Sequence, residues 1–309
     1  MVKKMFVVLF SIVALLTLTA CADEVDEVDT VDEVDDVEEE IVEVKPHHLE
    51  EVDEPLDGLE VHFIDAVGSE DILIRTADTT ILMSTNDNII AENPVPYLES
   101  QLIDEIDLLI ITSGDIDIHT HLPDILERFP TKELWLPTYG VEFYEDASDE
   151  LRDDLPRILA RIVTAIETQD ISPHAPLTNE ARTIGDIDLE VVKTSHNCLT
   201  IKVTYGDMSY LFGSGNSLES DIDLRSTVLK PSYNDGTGSA TEFLQAVDPK
   251  VAVILSGAKT GYQKSNRIKA LDELGIDRYG TLDHGTIVIS TDGKSYHIET
   301  ETKPTSVGP

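Results

Sequence analysis

From Leu59 onward the apolar residues fall into short runs that are separated by turn residues, a pattern typical of β-strands. Gly206-Asp207 and Asp292-Gly293 each interrupt two such runs and predict tight hairpin turns. The predicted strands are 59–65, 71–76, 79–84, 107–112, 133–137, 188–193, 198–205, 208–212, 227–230, 251–255, 286–290 and 296–299.

Segments with helical apolar spacing lie between these strands. Their alternation with the strands, in two successive blocks, predicts an α/β protein in which two sheets pack face to face with helices outside. The predicted helices are 97–103, 122–129, 149–167, 241–247 and 266–274, the last ended by Gly275.

The first 20 residues have the features of a signal peptide. Two lysines precede the apolar run Met5 to Leu16, which is short for a membrane span. The run ends in Leu18-Thr19-Ala20-Cys21, which resembles the lipobox of bacterial lipoproteins. We therefore expect residues 1–20 to be removed and Cys21 to carry acyl chains that anchor the protein at the extracytoplasmic face of the cell membrane. The alternative is an apolar N-terminal helix with an incidental cysteine.

Acylation of Cys21 would leave Cys198 as the only other cysteine, so no intramolecular disulfide is then expected. Cys198 begins an apolar run and is interpreted as a small buried hydrophobic residue.

The charge of the chain is strongly negative and unevenly distributed. There are 61 Asp and Glu against 22 Lys and Arg, a net charge of −39. Residues 21–57 form a predicted disordered acidic tether, since their repeated Val-Asp-Glu-Val-Asp units have few large apolar groups and repel one another. A low-affinity cation sponge is the alternative. Residues 301–309 are expected to be a disordered tail.

Acidity also extends to the folded body. Outside the first 54 residues, 44 acidic and 19 basic residues leave an excess of 25 negative charges. Such repulsion is relieved by salt, which favours a saline habitat, although an ordinary acidic surface is the alternative. Without clustered basic residues, nucleic-acid binding through a general basic surface is excluded.

Several segments resemble, in their sequences and in their order along the chain, the metallo-β-lactamase-like domain of ComEC-type competence proteins. The resemblance covers residues 58–300 and implies an αββα sandwich with a metal site at one edge of the two sheets. It also implies a hydrolase, with DNA as the substrate of the ComEC-type domain. The matching segments are Val61 to Asp65, Ile72 to Arg75, Thr80 to Leu82, Ile106 to Thr112, Leu122 to Phe129, Leu199 to Asp207, Val228 to Lys230 and Gly285 to Ile289.

Most metal ligands that the resemblance implies are absent. A dinuclear site needs several imidazoles and carboxylates that converge on two cations. The family's His-x-Asp-x-Asp-His cluster is replaced by Ser113 to Ile118, which keeps both aspartates and neither histidine. The other ligand positions are occupied by Ser84, Gly213-Ser214-Gly215, Tyr233-Asn234-Asp235 and Gln263-Lys264-Ser265.

One set of candidate ligands remains. Asp115, Asp117, His119 and His121 alternate along the chain, so an extended conformation would project all four to one side and could hold a single Zn²⁺ or Mn²⁺. The alternative is a solvent-facing loop that remains after the motif decayed. His62, His174 and His196 have no second potential ligand at a metal-binding spacing in the sequence, and we expect them at the surface or the edge of the core. His284 is a weaker ligand candidate.

Two function classes follow. The favoured hypothesis is a non-catalytic, lipid-anchored protein that binds an unknown protein or small molecule and needs no cofactor. The alternative is a metal-dependent hydrolase, similar to a phosphodiesterase or nuclease, with a relocated or mononuclear site. An acidic cleft would repel DNA, which disfavours nucleic acid as a substrate. A weaker third hypothesis is a small-ligand pocket with polar walls from Asn216 and from Tyr233 to Asp235.

Overall fold

The computed structural model describes residues 49–66, 69–87, 92–113, 120–146, 157–195, 198–213, 222–231, 239–255 and 266–301. The expected signal peptide, Cys21 and most of the expected tether lie outside these ranges. Within them, no helix has the length and apolar character that crossing a membrane requires.

Strands dominate the described residues and alternate with short helices. The strands are β1 (Glu50–Glu51), β2 (Leu59–Phe63), β3 (Ser69–Arg75), β4 (Thr80–Asp87), β5 (Ile106–Ile111), β6 (Thr131–Trp135), β7 (Pro173–His174), β8 (Ala181–Ile184), β9 (Ile187–Thr194), β10 (Leu199–Tyr205), β11 (Met208–Phe212), β12 (Val228–Lys230), β13 (Val251–Ile254), β14 (Asp277–Gly280), β15 (Ile287–Thr291) and β16 (Ser295–Thr300). The helices are α1 (Val95–Ser100), α2 (Leu122–Arg128), α3 (Thr138–Asp146), α4 (Arg157–Thr168), α5 (Ala240–Val247), α6 (Asn266–Leu274) and α7 (Thr281–His284).

Two sheets form in the described part of the chain. The first has the strand order β1-β16-β15-β2-β3-β4-β5-β6-β7, and the second has the order β14-β13-β12-β11-β10-β9-β8. Each sheet contains both parallel and antiparallel pairs, because helices connect β4 to β6 and β12 to β14 whereas hairpins connect β2 to β4 and β9 to β11.

The main core lies between the two sheets. Along β2, Leu59, Val61 and Phe63 alternate with polar residues and join this core, which is the expected behaviour of a strand with one buried face. Tyr210 and Phe212 of β11 face them from the second sheet, with the rings of Phe63 and Phe212 6.3 Å apart.

Helices cover the outer faces of both sheets. Leu98 of α1, Leu126 of α2 and Ile162 of α4 pack on the outer face of the first sheet. Phe243 of α5 and Ile268 of α6 pack on the outer face of the second. The layers are therefore helix, sheet, sheet, helix, as predicted.

The helix predicted over residues 149–167 and the segment before it differ from the structure. Helix α4 starts at Arg157, and residues 147–156 lie outside the described ranges. The segment before them contains α3, which is absent from the predicted helices; Pro137 and Gly140 are residue types that disfavour a helix. Pro137 lies just before the helix, however, and its carbonyl accepts the N–H of Gly140 at 2.9 Å.

The last hairpin crosses back to the first sheet, a connection that the two-block pattern did not predict. β15 pairs antiparallel with β2, and β16 pairs with β1. As a result, the turn between β15 and β16 meets the turn between β10 and β11 of the other sheet, where Asp207 N–H donates to Gly293 O at 2.7 Å.

Candidate functional site

The resemblance places a metal site where the two sheets share an edge. β4 and β5 run parallel and end at one edge of the first sheet, and β3, antiparallel to β4, starts there. β11 and β12 also run parallel and end together. We call the ends of β4, β5, β11 and β12 and the start of β3 the candidate edge.

The end of β5 connects the two sheets at the candidate edge. Thr112 N–H donates to Ser84 O at 3.0 Å, and Thr112 O accepts from Leu199 N–H of β10 at 2.9 Å. Ser113 and Cys198 extend this contact as an antiparallel bridge. The backbone after β5, where the predicted ligands begin, is therefore fixed by both sheets.

Cys198 differs from the buried thiol that was expected. The residue is half-buried, and its N–H donates to Ser195 Oγ at 3.2 Å. The strand assignment placed Cys198 in the core, but the bridge to Ser113 puts it at the rim of the sandwich.

Of the four predicted metal ligands, the structure describes one. Asp115, Asp117 and His119 fall in residues 114–119, outside the described ranges. His121, the residue before α2, has helical backbone angles, φ −99° and ψ −8°, and its carbonyl accepts the N–H of Ile125 at 3.0 Å. The extended alternation that would align all four side chains therefore does not continue to His121, and the metal site remains a prediction.

Asp124, a carboxylate near His121, already has protein partners. His121 Nδ1 lies 3.9 Å from Asp124 Oδ2, beyond hydrogen-bond distance. Asp124 accepts from Asn93 Nδ2 at 2.8 Å and from Arg161 Nη2 at 2.6 Å. Arg161 also binds Glu127 and lowers the pKa of its carboxyl. These contacts connect α2 to α4. They also occupy the Asp124 carboxylate, which is therefore not free to bind a metal ion.

Neutral groups occupy the described ligand positions of the family. Ser84 is buried in β4, opposite Ile111 at the end of β5. Gly213 follows β11 and donates its N–H to Lys230 O at 3.3 Å. Three further ligand segments, 214–215, 233–235 and 263–265, lie outside the described residues.

A buried ion pair crosses the candidate edge from one sheet to the other. Lys230 Nζ, at the end of β12, donates to Glu70 Oε2, at the start of β3, at 2.5 Å. Their side chains are 5% and 10% exposed. Sequence reasoning did not find this pair, since 160 positions separate the two residues.

The described part of the candidate edge does not fit a metal ion. Zn²⁺ and Mn²⁺ take imidazole, thiolate and carboxylate ligands, several at a time. The edge offers the hydroxyl of Ser84, the backbone of Gly213, the buried carboxylate of Asp71 and the Glu70 carboxylate that is already paired with Lys230. No group of three or more His, Cys, Asp or Glu that could hold a metal is found in the described ranges.

A second polar cluster lies on the outer face of the first sheet. His62 is buried, with Nδ1 2.8 Å from the Tyr97 hydroxyl of α1 and Nε2 3.2 Å from Glu60 Oε2. Arg75 donates to the same Glu60 carboxylate and to Gln101 O. Alternation along β2 could have revealed it, because Glu60 and His62 share the face opposite the apolar residues.

This cluster shifts two pKa values in opposite directions. The hydrogen bond from His62, reinforced by Arg75, lowers the pKa of Glu60 to about 2, although burial acts against it. Burial raises the pKa of Tyr97 to about 12, so its hydroxyl stays protonated and can donate to His62. The cluster thus joins α1 to β2 through a carboxylate that stays charged.

Two further described histidines, His174 and His284, have structural contacts. His174 Nε2 lies 2.6 Å from Glu180 Oε1 on the surface. His284 Nδ1 lies 2.9 Å from Gly280 O and so contacts the backbone of its own turn. His196 lies outside the described residues.

No protein-family model matches the sequence, and no curated protein is similar to it. Solved structures do match. Igni18, a novel metallo hydrolase from Ignicoccus hospitalis, is 10% identical with a TM-score of 0.50, and the match covers 75% of this chain and 100% of that one. YhfI from Bacillus subtilis, a metallo-β-lactamase-fold protein, is 11% identical with a TM-score of 0.48 over 72% of this chain and 96% of the other.

CmlA, a diiron β-hydroxylase from Streptomyces venezuelae, is 13% identical with a TM-score of 0.42, over 64% of this chain and 45% of the other. Identities this low show the fold alone. Together with the two sheets and their outer helices, the match to Igni18 confirms the predicted fold class: the chain has a metallo-β-lactamase-like αββα fold.

Proposed function

We propose that this protein is a lipid-anchored protein of the extracytoplasmic membrane face whose metallo-β-lactamase-like domain binds a protein or small molecule without metal-dependent catalysis. The observation that carries the non-catalytic part is the chemistry of the candidate edge, where Ser84 and the Glu70–Lys230 pair stand among the expected ligand positions. Hydrolases of this fold depend on bound cations to generate hydroxide from water, and the described edge lacks the donors to hold them.

The strong acidity makes nucleic acid a poor ligand for the domain. Outside the first 54 residues the chain has 25 excess negative charges, which repel phosphates at low salt, and no excess of basic residues compensates for them. A protein partner or a small uncharged or cationic molecule is compatible with this charge.

Metal analysis of the purified protein tests the non-catalytic proposal. The chain lacking residues 1–21 should contain far less than one metal ion per molecule after dialysis against Zn²⁺ or Mn²⁺ and desalting. It should also leave bis(p-nitrophenyl) phosphate intact in the presence of either ion. Stoichiometric metal together with metal-dependent hydrolysis would contradict the proposal.

The rival function is a metal-dependent hydrolase centred on Asp115, Asp117, His119 and His121. Its support is the position of His121, which directly follows the segment after β5 at the candidate edge. If hydrolysis is found, replacing both His119 and His121 by Ala should abolish it and the metal content together. His174→Ala, a change at the surface, is the matched control and should retain both. Activity that survives the double substitution would exclude this site.

The lipid anchor depends on the chemical state of Cys21. A thioether to lipid and a disulfide to Cys198 both use the Cys21 sulfur, so one excludes the other. Mass spectrometry of the protein from bacterial membranes should find diacylglycerol on Cys21, and Cys21→Ser should release the protein from the membrane fraction. An unlipidated Cys21 that forms a non-reduced peptide with Cys198 would overturn the anchor.

A further inference from the structure

Glu70 and Lys230 connect the two sheets from inside the sandwich. Glu70 lies two positions before Ile72 and Lys230 two positions after Val228, and both apolar residues belong to the core between the sheets. Alternation along β12 directs Lys230 into the inter-sheet space. The register of β3 shifts between Ser69 and Asp71, so the burial of Glu70 and its contact with Lys230 place the carboxylate in the same space. Their 2.5 Å contact closes that space at the candidate edge.

Such a pair acts as a unit. Removing two charges from water is costly, and the cost is offset only when the partners are close and well oriented. If one partner is removed, the other stays buried and loses its ion pair, which is destabilising. The pair therefore couples β3 to β12 far more strongly than an exposed pair does.

We infer that the Glu70–Lys230 ion pair fastens the two sheets at the candidate edge, so that the folded protein needs no metal ion to hold this edge together. In a metal-bound sandwich, ligands from both sheets would converge on the cations and join the sheets there. Here a carboxylate of one sheet and an ammonium of the other make that connection directly.

Thermal unfolding of substituted chains tests the coupling. Lys230→Met and Glu70→Gln should each lower the melting temperature by about 10 °C, the loss typical of breaking a buried pair in a domain of this size. The double variant Glu70→Leu with Lys230→Met leaves no unpaired charge and should melt higher than Lys230→Met alone. If it does not, the inference is wrong.

A matched control is the exposed pair of Glu133 on β6 and Arg182 on β8, which also joins the two sheets. Its side chains are 39% and 48% exposed, so Arg182→Met should change the melting temperature by about 2 °C or less. An equal loss at both pairs would show that burial of the Glu70–Lys230 pair has no special effect.

Chelation tests metal independence without any substitution. The melting temperature of the unaltered chain should be the same with EDTA and with added Zn²⁺ or Mn²⁺. A clear drop in EDTA would overturn the inference, whether or not the protein is catalytic. Conversely, the chain could catalyse metal-dependent hydrolysis while its melting temperature is unchanged by EDTA. That result would overturn the proposed function and leave this inference standing.

Discussion

In Tyr210, burial of the ring stabilises the fold whereas burial of the hydroxyl oxygen destabilises it. Its ring is fully buried between the sheets and stacks on Phe212, with ring centroids 6.1 Å apart. Its hydroxyl is the one buried side-chain polar atom in the described residues without a hydrogen-bond partner, and burial raises its pKa. A hydroxyl taken from water without a partner costs free energy that the ring must offset.

Tyr210→Phe should therefore stabilise the protein by about 1 to 2 kcal/mol, because the ring stays and the unsatisfied hydroxyl goes. Urea unfolding of both chains measures the difference. Tyr279→Phe is a control, since the Tyr279 side chain is half-buried at a sheet edge and should change stability by about 0.5 kcal/mol or less. A loss of stability in Tyr210→Phe would mean that the hydroxyl has a partner.

Glu60 makes part of the stability depend on pH. Its pKa is about 2 in the folded protein against an ordinary value of 4.5, so its contribution is complete above pH 4.5 and is lost as the pH falls towards 2. The side chain is one-third exposed, and solvent screening limits the contribution to about 1 to 2 kcal/mol. Glu60→Gln should therefore be less stable than the unaltered chain at pH 6.

Urea unfolding across pH 2 to 6 checks this expectation. The stability difference between the two chains should shrink below pH 4.5 and disappear near pH 2. Arg75→Met, which removes the cation on Glu60, should weaken the same pH dependence. A difference that stays constant over the whole range would contradict the assignment.

At the scale of elements, two hairpin turns hold the sheets together opposite the candidate edge. Gly206 has φ +59°, and a Cβ there would lie 2.8 Å from Gly293 O. Gly206→Ala should destabilise the protein by about 2 to 3 kcal/mol through strain and the clash. Gly275→Ala, with φ +70° and open space around it, should cost only the conformational part, about 1 kcal/mol. Equal losses in urea unfolding would show that the contact between the turns is unimportant.

Elements whose apolar residues repeat with the spacing of a strand or a helix could be predicted from the sequence. Elements without such a repeat could not. Strands such as β2 and β11 follow their alternation closely. β7 and β8 were missed because two to four mostly exposed residues carry no apolar pattern. The return of β15 to β2 depends on pairing between residues more than 220 positions apart, which local patterns do not encode.

The candidate site was less predictable than the fold. Loss of the family ligands could be read directly at Ser84, because the strand before it aligns well. The Glu70–Lys230 pair could not be predicted, since Glu70 stands in the polar run Ser69-Glu70-Asp71 and nothing in the local sequence marks it as buried. Long-range burial decides that pairing, and it becomes visible only once the two sheets are assembled.

At the scale of the whole molecule, charge repulsion is the dominant long-range term. Many surface bases are already used in ion pairs, such as Lys132 with Glu105 and Asp107, so unpaired acids remain in excess. Raising NaCl from 0.1 to 1 M shortens the screening length from about 10 to 3 Å. The melting temperature should therefore rise by several degrees, and calorimetry in NaCl and KCl should give the same increase. A decrease would argue against a protein adapted to salt.

The short strand β1 determines how a pull on the N-terminal segment reaches the fold. Two paired residues and a few bonds, including Val52 N–H to Tyr296 O at 2.8 Å and Leu56 N–H to Ser290 Oγ at 3.0 Å, hold residues 49–57 on the first sheet. Under tension these contacts peel away first and release about 30 Å of chain. The load then meets β2, which is held between β15 and β3. Residues 49–57 are thus expected to detach and extend under tension before the strands of the core are loaded.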